Sequence, residues 1–421
     1  MLVSFSVKNF RCFRDEAILD LRAPRRSAIG ATPWDGNIQT VAGIYGANAS
    51  GKTTLFRAID TMADQVRDSY RMSLVSSEPY AFDRNSLERP TEFSATFLAE
   101  DGACYAYGFS TMNGRVVEEW AERYTTARRT MLFERKGLAV KFGAALTGPN
   151  RAVQKTMRDT NLYLSAAAAA GHDALAPVYG WFLNQLHPFA ALGFDSVLSH
   201  VVTTLASDAE RRNRVAAILG RAELGLQGLE IDVRELTETE RAQFQRAAEM
   251  MRTLTGQDLT RDLPTESYRV FGAHVSGGQH YKLPLEDESD GTRAMLCHAF
   301  AIDEALRSGA TVVFDEIDAS LHPLLVRALV QTFQDQELNP RQAQLVFTTH
   351  DVSLMEAGYR DGSQLGRDEV WITEKDSAGA SSLVALADYG PRDRENLARR
   401  YMSGRFGGIP VQISLVDPVL V

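Results

Sequence analysis

"TVAGIYGANASGKTTLFRAIDTMADQV", residues 40–66, decides the fold class. "TVAGIYG" reads as an apolar strand that ends at Gly46, where a glycine-rich turn begins. "GANASGKT", Gly46 to Thr53, matches G-x-x-x-x-G-K-[ST] where that motif must sit, after a strand and at the start of a helix. Leu55, Ile59, Met62 and Val66 recur at intervals of four, three and four, which gives that helix one apolar stripe. Each residue type has a chemical task. Glycines let backbone N–H groups curl around phosphates, and the helix N-terminus adds partial positive charge. Lys52 is placed to reach the β- and γ-phosphates of a nucleotide, and Thr53 to offer its hydroxyl to Mg²⁺.

Two later strands carry the remaining chemistry. "ATVVFDE", residues 310–316, ends a buried strand with Asp315 and Glu316, at the carboxyl edge where parallel sheets place their sites. Asp315 is the candidate for the Mg²⁺ shell and Glu316 for polarising the attacking water. Without a metal, two adjacent buried carboxylates would repel and stay partly protonated. "AQLVFTTHD", residues 343–351, delivers His350 to the same edge, where an imidazole can hydrogen-bond a γ-phosphate or orient water.

Outward from these motifs, "LVSFSVKNF" and "EAILDL" read as strands, and period-two alternation from Thr91 to about Phe142 predicts an antiparallel subdomain. Helical patterns dominate 150–255, including "YLSAAAAAGHDALAPVYGWFLNQL" and a segment opened by a Thr237 to Glu240 capping box. Strands return from Tyr268, with helices between the later ones, which predicts a parallel sheet. The expected division is residues 1–145 as a first lobe with the phosphate loop and antiparallel subdomain, 146–265 as a helical insert, and 266–421 as a second lobe.

Composition excludes several classes. Cys12, Cys104 and Cys297 form no C-x-x-C pair, and the eight histidines have no ligand spacing, so disulfide frameworks and zinc sites are not expected. The N-terminus lacks a secretory pattern and no run approaches the roughly 18 apolar residues of a membrane span, so a cytoplasmic, reducing setting is expected. The net charge of −9 argues against a surface that coats nucleic acid. The basic stretches 123–137, 211–214 and 392–405 read as solvated faces.

"FSVKNFRCFRD", "GANASGKTT", "ESDGT", "FDEIDASLHP" with "FTTHD", and the terminal "RYMSGRFGGIP" together resemble the ATPase heads of the ABC superfamily. The resemblance is to the OLD, RecF and SMC branch, and to the AAA family ATP-binding proteins of bacterial abortive-infection and anti-phage defence. It covers about residues 1–100 and 265–421 and implies an α/β, ABC-type P-loop head: a mixed sheet with helices and an antiparallel β subdomain, carrying a helical insert. It implies ATP and Mg²⁺ as cofactors, with Gly46, Asn48, Ser50, Gly51, Lys52, Thr53 and Thr54 on the nucleotide. Thr53 and Asp315 would serve the metal, and Glu316 and His350 the hydrolysis.

Such heads also need a signature loop, which presents N–H groups and a serine hydroxyl to the γ-phosphate held by a second copy. Two stretches compete for it. "SGGQ" at Ser276 is followed by "HYKLPLE", which alternates as a strand and contains Pro284, so it reads as a hairpin turn. "ESDGT" is followed by "RAMLCHAFAIDEALRSG", where Met295, Ala299, Ile302 and Leu306 make a helical stripe behind Ser289 as N-cap. Ser289 also lies 26 residues before Asp315, room for one helix and one strand. The signature is therefore assigned to Ser289, Asp290 and Gly291, acting on the ATP of a second copy, with a homodimer or higher homo-oligomer as the consequence.

The resemblance further implies a separately encoded effector as partner, such as a TOPRIM-type nuclease, since too little chain follows His350 to hold one. It leaves two alternatives: a RecF-like DNA-repair ATPase, and a sensor scaffold that binds ATP without hydrolysing it. Two departures stand out. No glutamine occurs between Ser73 and Glu100, and Gln65 lies inside the first helix, so the Mg²⁺-sensing glutamine of transporters is unassigned. His322 stands where transporters usually have Asp and is a candidate interface residue.

Overall fold

Val41–Tyr45 lies inside a parallel sheet, all five residues buried. The computed structural model describes residues 1–22, 38–72, 75–125, 128–189, 194–222, 226–255, 263–319, 321–358, 362–390 and 396–409. The chain forms two compact units, Met1–Ala191 with Glu304–Val421, and Leu192–Asp303.

The first strands of the larger unit are β1 (Leu2–Lys8), β2 (Ala17–Asp20), β3 (Val41–Tyr45), β4 (Thr91–Leu98) and β5 (Cys104–Met112). They are followed by β6 (Arg115–Thr125), β7 (Arg128–Lys136), β8 (Ala139–Phe142) and β9 (Leu186–Phe189). All but β3 and β9 make an antiparallel sheet in the order β2-β1-β4-β5-β6-β7-β8, the subdomain expected from the alternation. In β4, Thr91, Phe93, Ala95 and Phe97 point inward, as a period of two demands.

The smaller unit contributes β10 (Leu226–Glu235), β11 (Glu266–Ser276) and β12 (Gln279–Pro284), an antiparallel sheet in that order. The larger unit then resumes with β13 (Thr311–Phe314), β14 (Gln344–Thr348), the two-residue pair β15 (Ala357–Gly358) and β16 (Gly362–Ser363), β17 (Val370–Lys375) and β18 (Ser381–Ala385). Its second sheet runs β18-β17-β3-β14-β13-β9, parallel except for β18. β3, β13 and β14 are buried at every residue, which is why they read as unbroken apolar runs.

Helix Lys52–Met72 buries Leu55, Ile59, Met62 and Val66, the stripe read from the sequence. They join one apolar core with residues of both sheets and with Trp181, which stacks on Phe97 at 4.0 Å between ring centroids. Within it, Glu119 and Arg135 form an ion pair at 3.0 Å with both side chains fully buried. Glu119 also accepts the amides of Tyr163 at 2.6 Å and Leu164 at 2.9 Å and the hydroxyl of Tyr107 at 3.0 Å. The carboxylate thus satisfies the free N–H groups that open helix Tyr163–Ala169.

The stretch 163–186 is less helical than its pattern suggests. A helix at Tyr163–Ala169 ends before Gly171, a second runs Ala176–Gly180, and a π turn follows at Trp181–Gln185. Pro177 sits in the first turn of the second helix, the place where its missing N–H costs nothing. "LHPF" then adds β9 to the edge of the parallel sheet, where a proline is tolerated. β10 is a further strand in the stretch 150–255 read as helical.

In the smaller unit, Ser276 pairs with Gln279 across a two-residue turn in which Gly277 and Gly278 have φ of 59° and 79°. Glycine adopts such a pair at no steric cost. The capping box closes as read: Thr237 N–H donates to Glu240 at 2.9 Å, and Glu240 N–H to Thr237 Oγ1 at 3.3 Å. Cys12, Cys104 and Cys297 are free thiols. Among the described residues, no helix is long and apolar enough to cross a membrane.

Candidate functional site

The loop after β3 is held in shape by its own side chains and by β17. Gly46 has φ 153°, and a Cβ there would fall 2.3 Å from Thr373 Oγ1 and 2.5 Å from Ser50 Oγ. No larger residue fits. Ser50 and Thr373 share a buried hydroxyl contact at 2.6 Å, and Thr373 donates to the Tyr45 carbonyl at 3.1 Å. Lys52 is only 5% exposed and donates its ammonium to the carbonyls of Gly46 at 2.9 Å and Ala47 at 3.1 Å. Burial lowers its pKa, while the charges of Glu316, Asp315 and Asp318 act in the opposite direction. Three carboxylates therefore lie within electrostatic reach of the loop lysine.

The sheet register brings them there. β3 and β13 both flank β14, so the three carboxyl ends emerge side by side. Asp315, buried at the end of β13, accepts the Thr348 hydroxyl on Oδ1 at 2.7 Å, and the Thr53 hydroxyl approaches the same oxygen at 3.4 Å. Thr348 Oγ1 in turn accepts the amide of Glu316 at 2.7 Å. Glu316 adopts φ 51°, sparsely populated for a non-glycine residue, and its side chain is exposed.

The oxygens of Thr53 and Asp315 fit Mg²⁺, a hard cation that protein sites typically bind through one or two carboxylates together with substrate phosphates. Among the described residues, no group of three or more His, Cys, Asp or Glu side chains is placed to hold a metal.

His350 follows β14 with an exposed side chain. Its amide donates to Asp318 Oδ2 at 3.2 Å, and it lines a cavity of about 430 Å³ together with Gly46, Ala47 and Asn48. Asp318 Oδ1 is buried with no hydrogen-bond partner among the described residues. The sequence alone does not single out Thr348, Asp318 and Thr373. The first two stand inside the quoted "FTTHD" and "FDEIDASLHP", but hydroxyls and third carboxylates carry no spacing signal of their own.

Ser289, Asp290 and Gly291 belong to the smaller unit, at the start of helix Asp290–Ser308. Ser289 Oγ accepts the Thr292 amide at 3.1 Å, an N-cap in fact, and Asp290 is ion-paired with Arg293. His322 caps helix Pro323–Gln334, its Nδ1 accepting the Leu324 amide at 3.3 Å. Gln65 is buried and donates to the Ser76 carbonyl at 3.2 Å.

Residues of the first two basic stretches form ion pairs within the protein. In 123–137, Arg129 meets Glu122, Arg135 meets Glu119 and Lys136 meets Glu118; in 211–214, Arg211 and Arg214 meet Asp303. Residues 126–127, Ser320 and the 392–395 part of the third basic stretch lie outside the described residues.

Comparison with known proteins gives one family and several similar solved structures. The family model described as "AAA domain, putative AbiEii toxin, Type IV TA system" matches residues 41–146 and 164–356. No curated protein matches. Among solved structures, an SMC head bound to the C-terminal winged-helix domain of ScpA is 13% identical, with 91% of this chain and 96% of that chain covered and a TM-score of 0.40. An SMC head with an extended coiled coil, bound to the C-terminal domain of ScpA and derived from Pyrococcus furiosus, is 14% identical, covering 92% and 97%, with a TM-score of 0.40. The recombination mediator RecF with ATP is 15% identical, covering 91% and 97%, with a TM-score of 0.38. With the family model spanning well over half of its length, including the phosphate loop, the strand ending in Asp315–Glu316 and His350, the chain belongs to this AAA-domain family of P-loop ATPases.

Proposed function

We propose that this protein is an ATP-driven switch that controls a separate effector protein, in anti-phage defence. The observation that carries the reading is the meeting of Lys52, Thr53, Asp315 and Glu316 at one sheet edge. Lys52 exchanges its two loop carbonyls for the β- and γ-phosphates of ATP. Thr53 and Asp315 hold Mg²⁺, which neutralises charge on those phosphates. Glu316 polarises the attacking water, and His350, beside the loop, orients it or bonds the γ-phosphate. Ser289, Asp290 and Gly291 of a second copy complete the site, so that ATP joins two heads and hydrolysis releases them. The family's description, an AbiEii-type toxin of a toxin–antitoxin system, supports the defence setting. The ion pairs that Arg129, Arg135, Lys136, Arg211 and Arg214 make within the protein disfavour a nucleic-acid clamp.

The test is ATP turnover and light scattering on the purified chain. Lys52→Ala is expected to lose nucleotide binding, and Glu316→Gln to bind ATP and double in mass with it. Identical mass for Glu316→Gln with and without ATP overturns the dimer, and a turnover of wild type no higher than that of Lys52→Ala overturns the ATPase.

A further inference from the structure

The segment "RYMSGRFGGIP", residues 400–410, is more than 340 positions from the phosphate loop in the chain. Its described part closes one side of the phosphate loop. Helix Leu397–Met402 is started by Asn396, whose side chain accepts the Arg399 amide at 2.8 Å. Tyr401, buried on that helix, meets Tyr45 edge-on at 6.0 Å between ring centroids, and its hydroxyl donates to the Gly408 carbonyl at 2.9 Å. Burial pushes the pKa of this phenol up to about 12, with the neighbouring Gly46 backbone opposing the rise.

Gly408 completes the contact. It has φ +69°, and a Cβ there would lie 2.7 Å from Ile372 Cγ2 and 3.4 Å from the Cα of Gly46. Backbone thus packs on backbone, and the cavity of about 430 Å³ has Gly46, Ala47 and Asn48 on one side and Tyr401, Gly408 and Ile409 on another. Tyr45 and Gly46 are the last strand residue and the first loop residue, so their position sets where the loop begins.

We infer that Tyr401 is a positioning residue of the phosphate loop: its hydroxyl, tied to Gly408, fixes Gly46 so that the loop amides are set for the phosphates before a nucleotide arrives. The inference rests on the reading of Gly46–Thr54 as the nucleotide site. Preorganisation of this kind appears in affinity, because an unfixed loop must be ordered at the moment of binding.

The test uses the full chain, with magnesium and a slowly hydrolysed ATP analogue as probe, at a temperature where every variant is folded. Tyr401→Phe keeps the ring and removes the hydroxyl. It should weaken binding by about 3- to 10-fold, the range given by about one net hydrogen bond. Gly408→Ala should weaken it in the same direction. Tyr107→Phe, a buried hydroxyl on Glu119 in the core, is the structural control and should lower the unfolding midpoint while leaving affinity unchanged. Unchanged affinity in Tyr401→Phe, or equal weakening in Tyr107→Phe, overturns the inference. If wild type binds and Lys52→Ala does not, either result overturns the inference alone. If folded wild type does not bind the probe, the nucleotide-site reading falls together with it.

Discussion

Thr53 and Asp315, separated by 262 positions in the chain, face each other with hydroxyl and carboxylate oxygens 3.4 Å apart. One belongs to the helix behind β3 and the other to the end of β13, and β14 between these strands sets their separation. From β14 comes Thr348, whose hydroxyl joins Asp315 to the backbone of Glu316. The two candidate roles, metal ligand and base, are thus coupled through one side chain.

Thr348→Val keeps the β-branched shape and strands a buried carboxylate oxygen and an amide. A stability loss of about 1–3 kcal/mol is expected in urea unfolding, together with slower ATP turnover, and Thr348→Ser should recover most of both. An unchanged urea midpoint in the valine variant would show that water replaces the hydroxyl at no cost.

Ser289→Arg places a long cation at the start of helix Asp290–Ser308 and should abolish hydrolysis. Ser276→Arg, at the end of β11 beside an exposed hairpin turn, should leave the rate near that of wild type. Steady-state ATPase assays of the two variants decide the assignment, and the opposite pattern would return the signature to "SGGQ".

Glu119→Gln leaves Arg135 as a fully buried charge without its counterion. The expected cost is about 3–5 kcal/mol of folding stability. Affinity for nucleotide per folded molecule should stay at the wild-type value, because the pair lies in the core and touches none of the loop residues. Denaturation and a binding titration on the folded fraction separate the two effects.

Asp60 has its pKa raised from the ordinary 3.8 to about 6, chiefly by burial and secondarily by Asp64, with Arg67 and Arg57 opposing. The folded state therefore holds a proton between those values that the unfolded chain has released. The contribution of this group is full below about pH 4, declines as pH rises toward about 6, and is flat above. Asp60→Asn should flatten that part of the stability profile, measured by chemical denaturation across the window. A slope identical to that of wild type would refute the assignment to Asp60.

Features that depend on neighbours in sequence were legible without the fold. The phosphate loop follows from glycines that a tight turn demands, the stripe Leu55–Ile59–Met62–Val66 from helical period, and the choice of Ser289 over Ser276 from what each serine precedes. The same local logic misread 163–186, because small apolar residues fit a helix while Gly171 and Pro177 break it into pieces. It also missed β9, a four-residue edge strand whose identity comes from pairing with β13.

By itself, the sequence determined the chemistry on offer: a phosphate loop, a carboxylate pair at a strand end, a histidine one strand later and a serine opening a helix. Those depend on short-range backbone sterics and periodicity. The tertiary structure decided which groups meet. Parallel registry places Thr348 between Asp315 and Glu316, and the packing of residues 397–409 places Tyr401 and Gly408 on Gly46. Such meetings are fixed by strand order and core packing across hundreds of residues, which no local pattern encodes.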